Sequence, residues 1–315
     1  MEYDRKERHA YLGRRAGLRL DLGVYGRLLC ILALCLGLGM LFWNARPLIL
    51  HELQSVQPRR HEVTLPKHLE DLFRPVSIEA DDGVRLSAWY AETQNGATVI
   101  LLHGYGTDRT EMLPEAMELI SYGYGVFLYD SRAQGQSGGT KITFGRKEKT
   151  DLRAVVDWLV AQPEVQLDRL GAYGFSLGGL TLARQAAEDT RIKAVVLAAS
   201  PTSLFDLAYD ESSVQPWLSA HLRLIMNLLA GVNAYWVDAE SAVDAIAPRP
   251  LLLIQGAKDR VVPPKRMQQL YAAAESPKTA LLLAHSGHGY YFESDREHFT
   301  TSLIEFFHQA FGFTR

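Results

Sequence analysis

Gly174-Phe175-Ser176-Leu177-Gly178 is the stretch whose reading decides the fold. Before it, Arg169-Leu170-Gly171-Ala172-Tyr173 is a short apolar run that predicts a buried strand. After it, residues 179–188 predict a helix. A serine in a G-x-S-x-G turn between strand and helix has its hydroxyl lifted clear of the sheet, above a helix N-terminus. The flanking glycines leave room for tight backbone packing.

A serine hydroxyl is a weak nucleophile unless a base takes its proton. Two later loops carry candidates. Leu251–Gly256 predicts a strand, and Asp259 follows it. Residues 279–284 predict another, followed by His285-Ser286-Gly287-His288-Gly289. Open α/β sheets bind ligands beyond the carboxyl ends of their strands. Ser176, Asp259 and His288 all fall there, in that chain order. His288, between two glycines, suits an exposed loop tip and is the preferred base; His285 is the alternative. Each signal has a plainer reading, as a chance match, a turn-forming Asp or a solvated loop histidine. Their conjunction favours nucleophilic catalysis. Acyl transfer also needs donors for the oxyanion. The backbone N–H of Leu177 is one candidate. The N–H of Tyr105 is the other, in the loop His103-Gly104-Tyr105-Gly106 after a predicted strand at 97–102. His103 is expected to brace that loop.

From about Pro75 onward the chain resembles the α/β-hydrolase superfamily. Within it, the chain resembles the Bem46-like and serine aminopeptidase-like membrane-anchored serine hydrolases. The matching pieces are His103-Gly104, the segment from Asp130 to Ser137, Gly174 to Gly178, Gly256 to Asp259 and Gly287-His288. The resemblance implies Ser176 as nucleophile, Asp259 as acid and His288 as base. It implies a structural role for the loop beginning at Asp130, where Ala133 replaces a usual glycine. The loop after Gly104 departs from the subgroup's form, with Tyr105-Gly106-Thr107-Asp108.

Residues 28–43 read LLCILALCLGLGMLFW, without a charge. Extended back past Arg27 to Leu22, the stretch reaches the roughly 20 residues a transmembrane helix needs. It is expected to be a retained signal-anchor at 22–43. A cleaved signal peptide is disfavoured by the lack of a small-residue cleavage site after Trp43. Arg5, Lys6, Arg8, Arg14, Arg15 and Arg19 precede the span. The positive-inside rule then puts a short basic tail, 1–21, in the cytoplasm and the catalytic domain on the other side. The expected location is therefore single-pass membrane, catalytic domain extracytoplasmic. The two cysteines, Cys30 and Cys35, lie inside the span, so no disulfide framework is expected.

With 315 residues, 47% hydrophobic, the chain can bury one large core. A net charge of -3 carries no nucleic-acid signal. Residues 44–74, with Pro47, Pro58 and Pro66, are expected to be a linker. The hydrolase domain is expected at 75–315. It opens with a hairpin around Asp81-Asp82-Gly83. Strands then alternate with helices, which predicts an α/β fold: a mostly parallel eight-stranded sheet with helices on both faces. Residues 201–248 break the rhythm and are expected to form a helical cap. There Trp217, Leu222, Ile225 and Leu229 could wall an acyl pocket.

The expected function is hydrolysis of carboxylic esters through a Ser-His-Asp triad and an acyl-enzyme, on small-molecule or lipid esters with an apolar acyl group. The alternatives are an amidase or aminopeptidase-like enzyme with the same triad, or a non-catalytic membrane-tethered binding protein. For a peptidase, Asp206, Asp210 or Glu211 could read a free amino terminus. No metal-ligand spacing is present, and no metal or organic cofactor is expected.

Overall fold

The computed structural model describes residues 22–210, 216–229, 231–232 and 236–313. The 1–21 tail and Glu211 lie outside them, as do the side chains of Trp217, Leu222 and Leu229. The chain divides between Leu50 and His51 into two compact units.

The first unit holds most of helix α1 (Leu22–Ser55). The expected membrane span falls in this helix and is overturned. No helix among the described residues is long and apolar enough to cross a membrane. The charge-free run at 28–43 rises only about 24 Å as a helix, so the expected 22–43 span exceeds the roughly 30 Å of hydrocarbon core only by reaching back across Arg27. Arg27 bounds the run on one side and Arg46 lies just beyond the other. The signal-anchor, the membrane as partner, the single-pass location and the extracytoplasmic placement of the catalytic domain lose their basis together.

The second unit is built on an eight-stranded mixed sheet. After the short strand β1 (Arg59–Arg60) come β2 (Arg74–Glu79), β3 (Arg85–Ala91), β4 (Thr98–Leu102), β5 (Gly125–Tyr129) and β6 (Gln134–Gly135). They are followed by β7 (Leu170–Phe175), β8 (Ala194–Ala198), β9 (Leu251–Gly256) and β10 (Lys278–Leu283). The order across the sheet is β10-β9-β8-β7-β4-β5-β3-β2. Strands β4, β5 and β7 to β10 pair in parallel, while β2 and β3 join antiparallel at one edge. A parallel sheet must be covered on both faces, and its side chains alternate between them. In β4, Ile100 and Leu102 enter one core cluster and Val99 and Leu101 the other.

The main helices are α2 (Leu113–Ser121), α3 (Glu148–Val160), α4 (Leu177–Glu188), α5 (Leu204–Asp210), α6 (Pro216–Leu229), α7 (Pro264–Ala273), α8 (Tyr291–Ser294) and α9 (Arg296–Ala310). Helix α3 shows why the sequence folds so. Leu152, Val155, Val156 and Leu159 recur at helical spacing and are all buried. Helices α5 and α6 occupy the interruption between β8 and β9.

Residues 51–73 belong to the second unit. Strand β1 pairs with β6, and Val56, Val63, Leu69 and Phe73 are buried in the core. This attachment matters at the site.

Candidate active site

Ser176 stands between β7 and α4 with φ 52° and ψ -117°. A non-glycine residue there is strained, and such strain persists only where the surroundings over-determine it. The surroundings do so by close packing. A Cβ on Gly178 would come within 2.5 Å of the Leu102 carbonyl, and one on Gly174 within 2.5 Å of the Gly178 carbonyl. The turn is therefore pressed against the end of β4, and the serine hydroxyl points away from it.

Asp259 follows β9 and is buried, at 4% exposure. Its Oδ1 accepts the backbone N–H groups of Val261 and Val262 at 2.8 and 2.9 Å. Its Oδ2 accepts the Gln255 amide at 2.9 Å and faces His288 Nδ1 at 2.8 Å. The other ring nitrogen, Nε2, lies 3.0 Å from Ser176 Oγ. With Nδ1–H donated to the carboxylate, Nε2 is left to accept the serine proton. His288 comes close because Gly256 lets two loops meet; a Cβ there would strike the carbonyls of Ser286 and Gly287. His285 is exposed, and its backbone N–H is held by Asp295.

Tyr105 and Leu177 both line the cavity above Ser176, and Leu177 opens α4. His103 braces the Tyr105 loop. Its Nε2 accepts the Ser131 N–H at 2.9 Å, so Nδ1–H donates to the Gly104 carbonyl at 2.7 Å. Glu111 accepts the Gly104 N–H at 2.7 Å. The loop beginning at Asp130 is a buried ion-pair frame. Asp130 meets Arg109 at 2.6 Å, and Arg132 joins Asp151 to Asp82. Ala133, where a glycine was anticipated, adopts φ 60°.

A cavity of about 440 Å³ opens over Ser176 and His288. Leu204, Leu207 and Ala208 of α5 and Leu224 of α6, with Phe144 and Val261, give it an apolar wall. Ile225, anticipated in that wall, is exposed instead. None of these wall residues was named from sequence, nor were His51 and Ser55 near the end of α1, which also line the cavity. The Ser55 carbonyl accepts the Tyr105 hydroxyl at 2.8 Å, and Arg59 donates to that hydroxyl at 3.0 Å while lying over the ring. His61 bonds Asp108 at 2.7 Å, and that contact raises the His61 pKa above its ordinary value. So the stretch read as a linker clamps the Tyr105 loop. The sequence signal for it is the apolar Val56, Val63 and Leu65 within an otherwise polar stretch.

Asp206 and Asp210, considered as readers of an amino terminus, are engaged elsewhere. Arg266 pairs with both, at 2.9 and 2.5 Å, and Lys265 pairs with Asp210 at 2.6 Å.

Comparison with known proteins now has a geometry to stand on. Over 225 residues the chain is 31% identical to the uncharacterized protein Rv2307c of Mycobacterium tuberculosis, covering 68% of this chain and 72% of that one. The chain belongs to that protein's family. The uncharacterized protein YfhR of Escherichia coli K12 is 27% identical over the same shares. Residues 82–228 match the X-Pro dipeptidyl-peptidase (S15) family. Among solved structures, the Pyrococcus furiosus esterase Pf2001 superposes with a TM-score of 0.68 at 28% identity, covering 82% of this chain and all of that one. The protein is thus an α/β-hydrolase-fold enzyme, a serine hydrolase related to esterases and S15 peptidases. The narrower resemblance to Bem46-like and aminopeptidase-like membrane-anchored hydrolases is corrected accordingly. The family model that matches, over residues 82–228, is that of the S15 peptidases, and no helix among the described residues is long and apolar enough to cross a membrane.

Proposed function

We propose that this enzyme hydrolyses carboxylic esters with an apolar acyl group. Ser176 is the nucleophile, His288 the base and Asp259 the residue that orients the imidazole. The supporting observation is the unbroken chain of hydrogen bonds, 3.0 Å from Ser176 to His288 and 2.8 Å from His288 to Asp259, at the floor of an apolar cavity.

In this reading Ser176 Oγ attacks the carbonyl carbon as its proton passes to His288 Nε2. The backbone N–H groups of Leu177 and Tyr105 receive the oxyanion, where fixed donors act at no reorganisation cost. The C–O bond to the leaving alcohol then breaks, and His288 returns the proton to that oxygen. Water, deprotonated by His288, releases the acid and restores Ser176. Asp259 holds the tautomer and stabilises the imidazolium.

An ester is favoured over an amide by coverage. The likeness to Pf2001 spans the whole of that esterase, whereas the S15 match ends at 228, before Asp259 and His288. The S15 match is the observation that favours a peptidase as the second reading. A fluorophosphonate tests the mechanism: one adduct on Ser176, absent in Ser176→Ala, is expected. An unlabelled folded wild type sinks it. A series of 4-nitrophenyl esters tests the acyl group. Each methylene that enters the cavity should raise kcat/KM about fourfold. A maximum at acetyl would remove the apolar-acyl reading, and faster turnover of X-Pro amides would reverse the ranking.

A further inference from the structure

Strand β9 reads Leu251-Leu252-Leu253-Ile254-Gln255-Gly256, and every residue in it is buried. Ahead of the glycine, all the side chains but one are aliphatic. The exception is Gln255, at 0% exposure. A buried amide is unfavourable unless its donors and its acceptor are matched. Gln255 is matched on one side only. Its Nε2 donates to Asp259 Oδ2 at 2.9 Å and to the Val262 carbonyl at 3.0 Å. Its Oε1 has no hydrogen-bond partner among the described residues. Turning the amide over would not help. It would set Oε1 against a carboxylate and a carbonyl, both of which only accept. The orientation is therefore dictated by Asp259 and Val262, and it leaves one oxygen orphaned. An aliphatic side chain, like those before it in β9, would carry no such orphan. It also could not donate.

The two donated hydrogens fall on Asp259 and on the turn that carries it. The Val261 and Val262 N–H groups hold Oδ1. The bond from Gln255 to the Val262 carbonyl ties down the end of that turn, and the bond to Oδ2 holds the second carboxylate oxygen. The same Oδ2 takes the His288 imidazole, at 2.8 Å. With both oxygens held, the carboxyl group is fixed against rotation about its Cβ–Cγ bond, and Oδ2 stays turned toward Nδ1. Gln255 itself is not among the residues that wall the cavity over Ser176.

We propose that Gln255 is a positioning residue for the hydrolysis, acting through Asp259 by locking the carboxylate in the plane that presents Oδ2 to His288. The proposal rests on the reading of Ser176, His288 and Asp259 as a catalytic triad. Acylation and deacylation both pass a proton through His288. Loss of the Gln255 donor therefore slows both steps and leaves substrate binding alone.

Gln255→Met tests this, since it keeps the side chain's length and removes the donor. On 4-nitrophenyl butanoate, kcat should fall about 10- to 100-fold while KM stays within about twofold. The same substitution in the Asp259→Asn background should bring no further fall, because the residue through which Gln255 acts is already disabled. A role in core packing alone would lower activity by the same factor in both backgrounds. That equal loss overturns the proposal, as does a rise in KM at unchanged kcat, or a loss of kcat below about twofold. Where Gln255→Met does not fold, Gln255→Glu carries the same comparison, since it keeps the volume and puts an acceptor in the donor's place. The rate at which a fluorophosphonate labels Ser176 separates this proposal from the ester reading. Slower labelling in the variant, in an enzyme whose wild type cleaves no ester, supports the role of Gln255 and removes the esterase reading. Equal labelling of variant and wild type overturns the role of Gln255, whatever the substrate.

Discussion

The loop after β9 and the first turn of α2 each bury a carboxylate beside His288, and they treat it in opposite ways. Asp259 receives four donors: two backbone N–H groups, an amide and an imidazole. Glu115 has its own backbone N–H and a long contact from the Tyr173 hydroxyl, and keeps an oxygen bare. Burial is nearly equal, at 4% and 6% exposure. Depth alone therefore does not decide what a buried acid does. The donors built around it do. Asp259 is arranged to hold a neighbour in one orientation, whereas burial pushes the Glu115 carboxyl up to about 8 and keeps it protonated near neutral pH.

The sharpest way to break this contrast is Asp259→Asn. The isosteric amide keeps the packing but offers Nδ1 the wrong hydrogen-bond sense, so kcat should fall about 10⁴-fold. The check is steady-state turnover of a short-chain ester, with circular dichroism to show the fold intact. A loss under tenfold would mean that Asp259 does not orient the base.

Glu115→Gln addresses the other side through stability rather than rate. A carboxyl whose folded pKa lies near 8 stabilises the fold fully below its unfolded value of 4.5, and that contribution is lost as pH rises through 8. Wild type should lose a few kcal/mol between those limits, at about 1.4 kcal/mol for each tenfold difference in proton affinity. The variant should lack this slope. Urea midpoints measured at pH 5 and pH 9 would show it, and parallel curves for both proteins would refute it.

Gly256→Ala probes how the Asp259 loop reaches His288. The added methyl meets the carbonyls of Ser286 and Gly287, and overpacking of this kind costs about 1–3 kcal/mol. Because both loops carry site residues, activity at temperatures well below melting should drop as well. A variant with normal melting and normal turnover would show that the loops are not held in contact. The smallest effect is expected at Ala133→Gly, far from either carboxylate. Relief of a positive φ and the entropy of a freer unfolded chain oppose each other, so stability should change by no more than about 1 kcal/mol.

Much of this arrangement was legible in the chain because it is carried by local pattern. Strand runs such as Leu251–Gly256 and the helical spacing of Leu152, Val155, Val156 and Leu159 are short-range signals. The loops that end those strands place Ser176, Asp259 and His288 at one rim. What escaped is long-range. Glu111 and Glu115 meet Glu293 only through the topology, and no spacing announces it. The stretch from His51 to His61 reads as proline-broken and polar, because its order comes from contacts with Tyr105, Ala133 and Asp108. The apolar run at 28–43 misled in the other direction: extended past Arg27 to Leu22 it suggested a span, but the helix that holds it is not long and apolar enough to cross a membrane.

The Ser55–Tyr105–Arg59 clamp bears on how this enzyme is handled at the bench. A clone started at Pro75, where the superfamily resemblance begins, would encode the large sheet except Arg74 of β2, but would lose the buried Val56, Val63, Leu69 and Phe73. It would also leave Tyr105 without the carbonyl and guanidinium that hold its hydroxyl, and it would strip one side from the cavity. Such a product would pass for an inactive family member. Vectors should start upstream of His51, and a protease nick between His51 and His61 should be looked for whenever a well-behaved preparation turns over nothing.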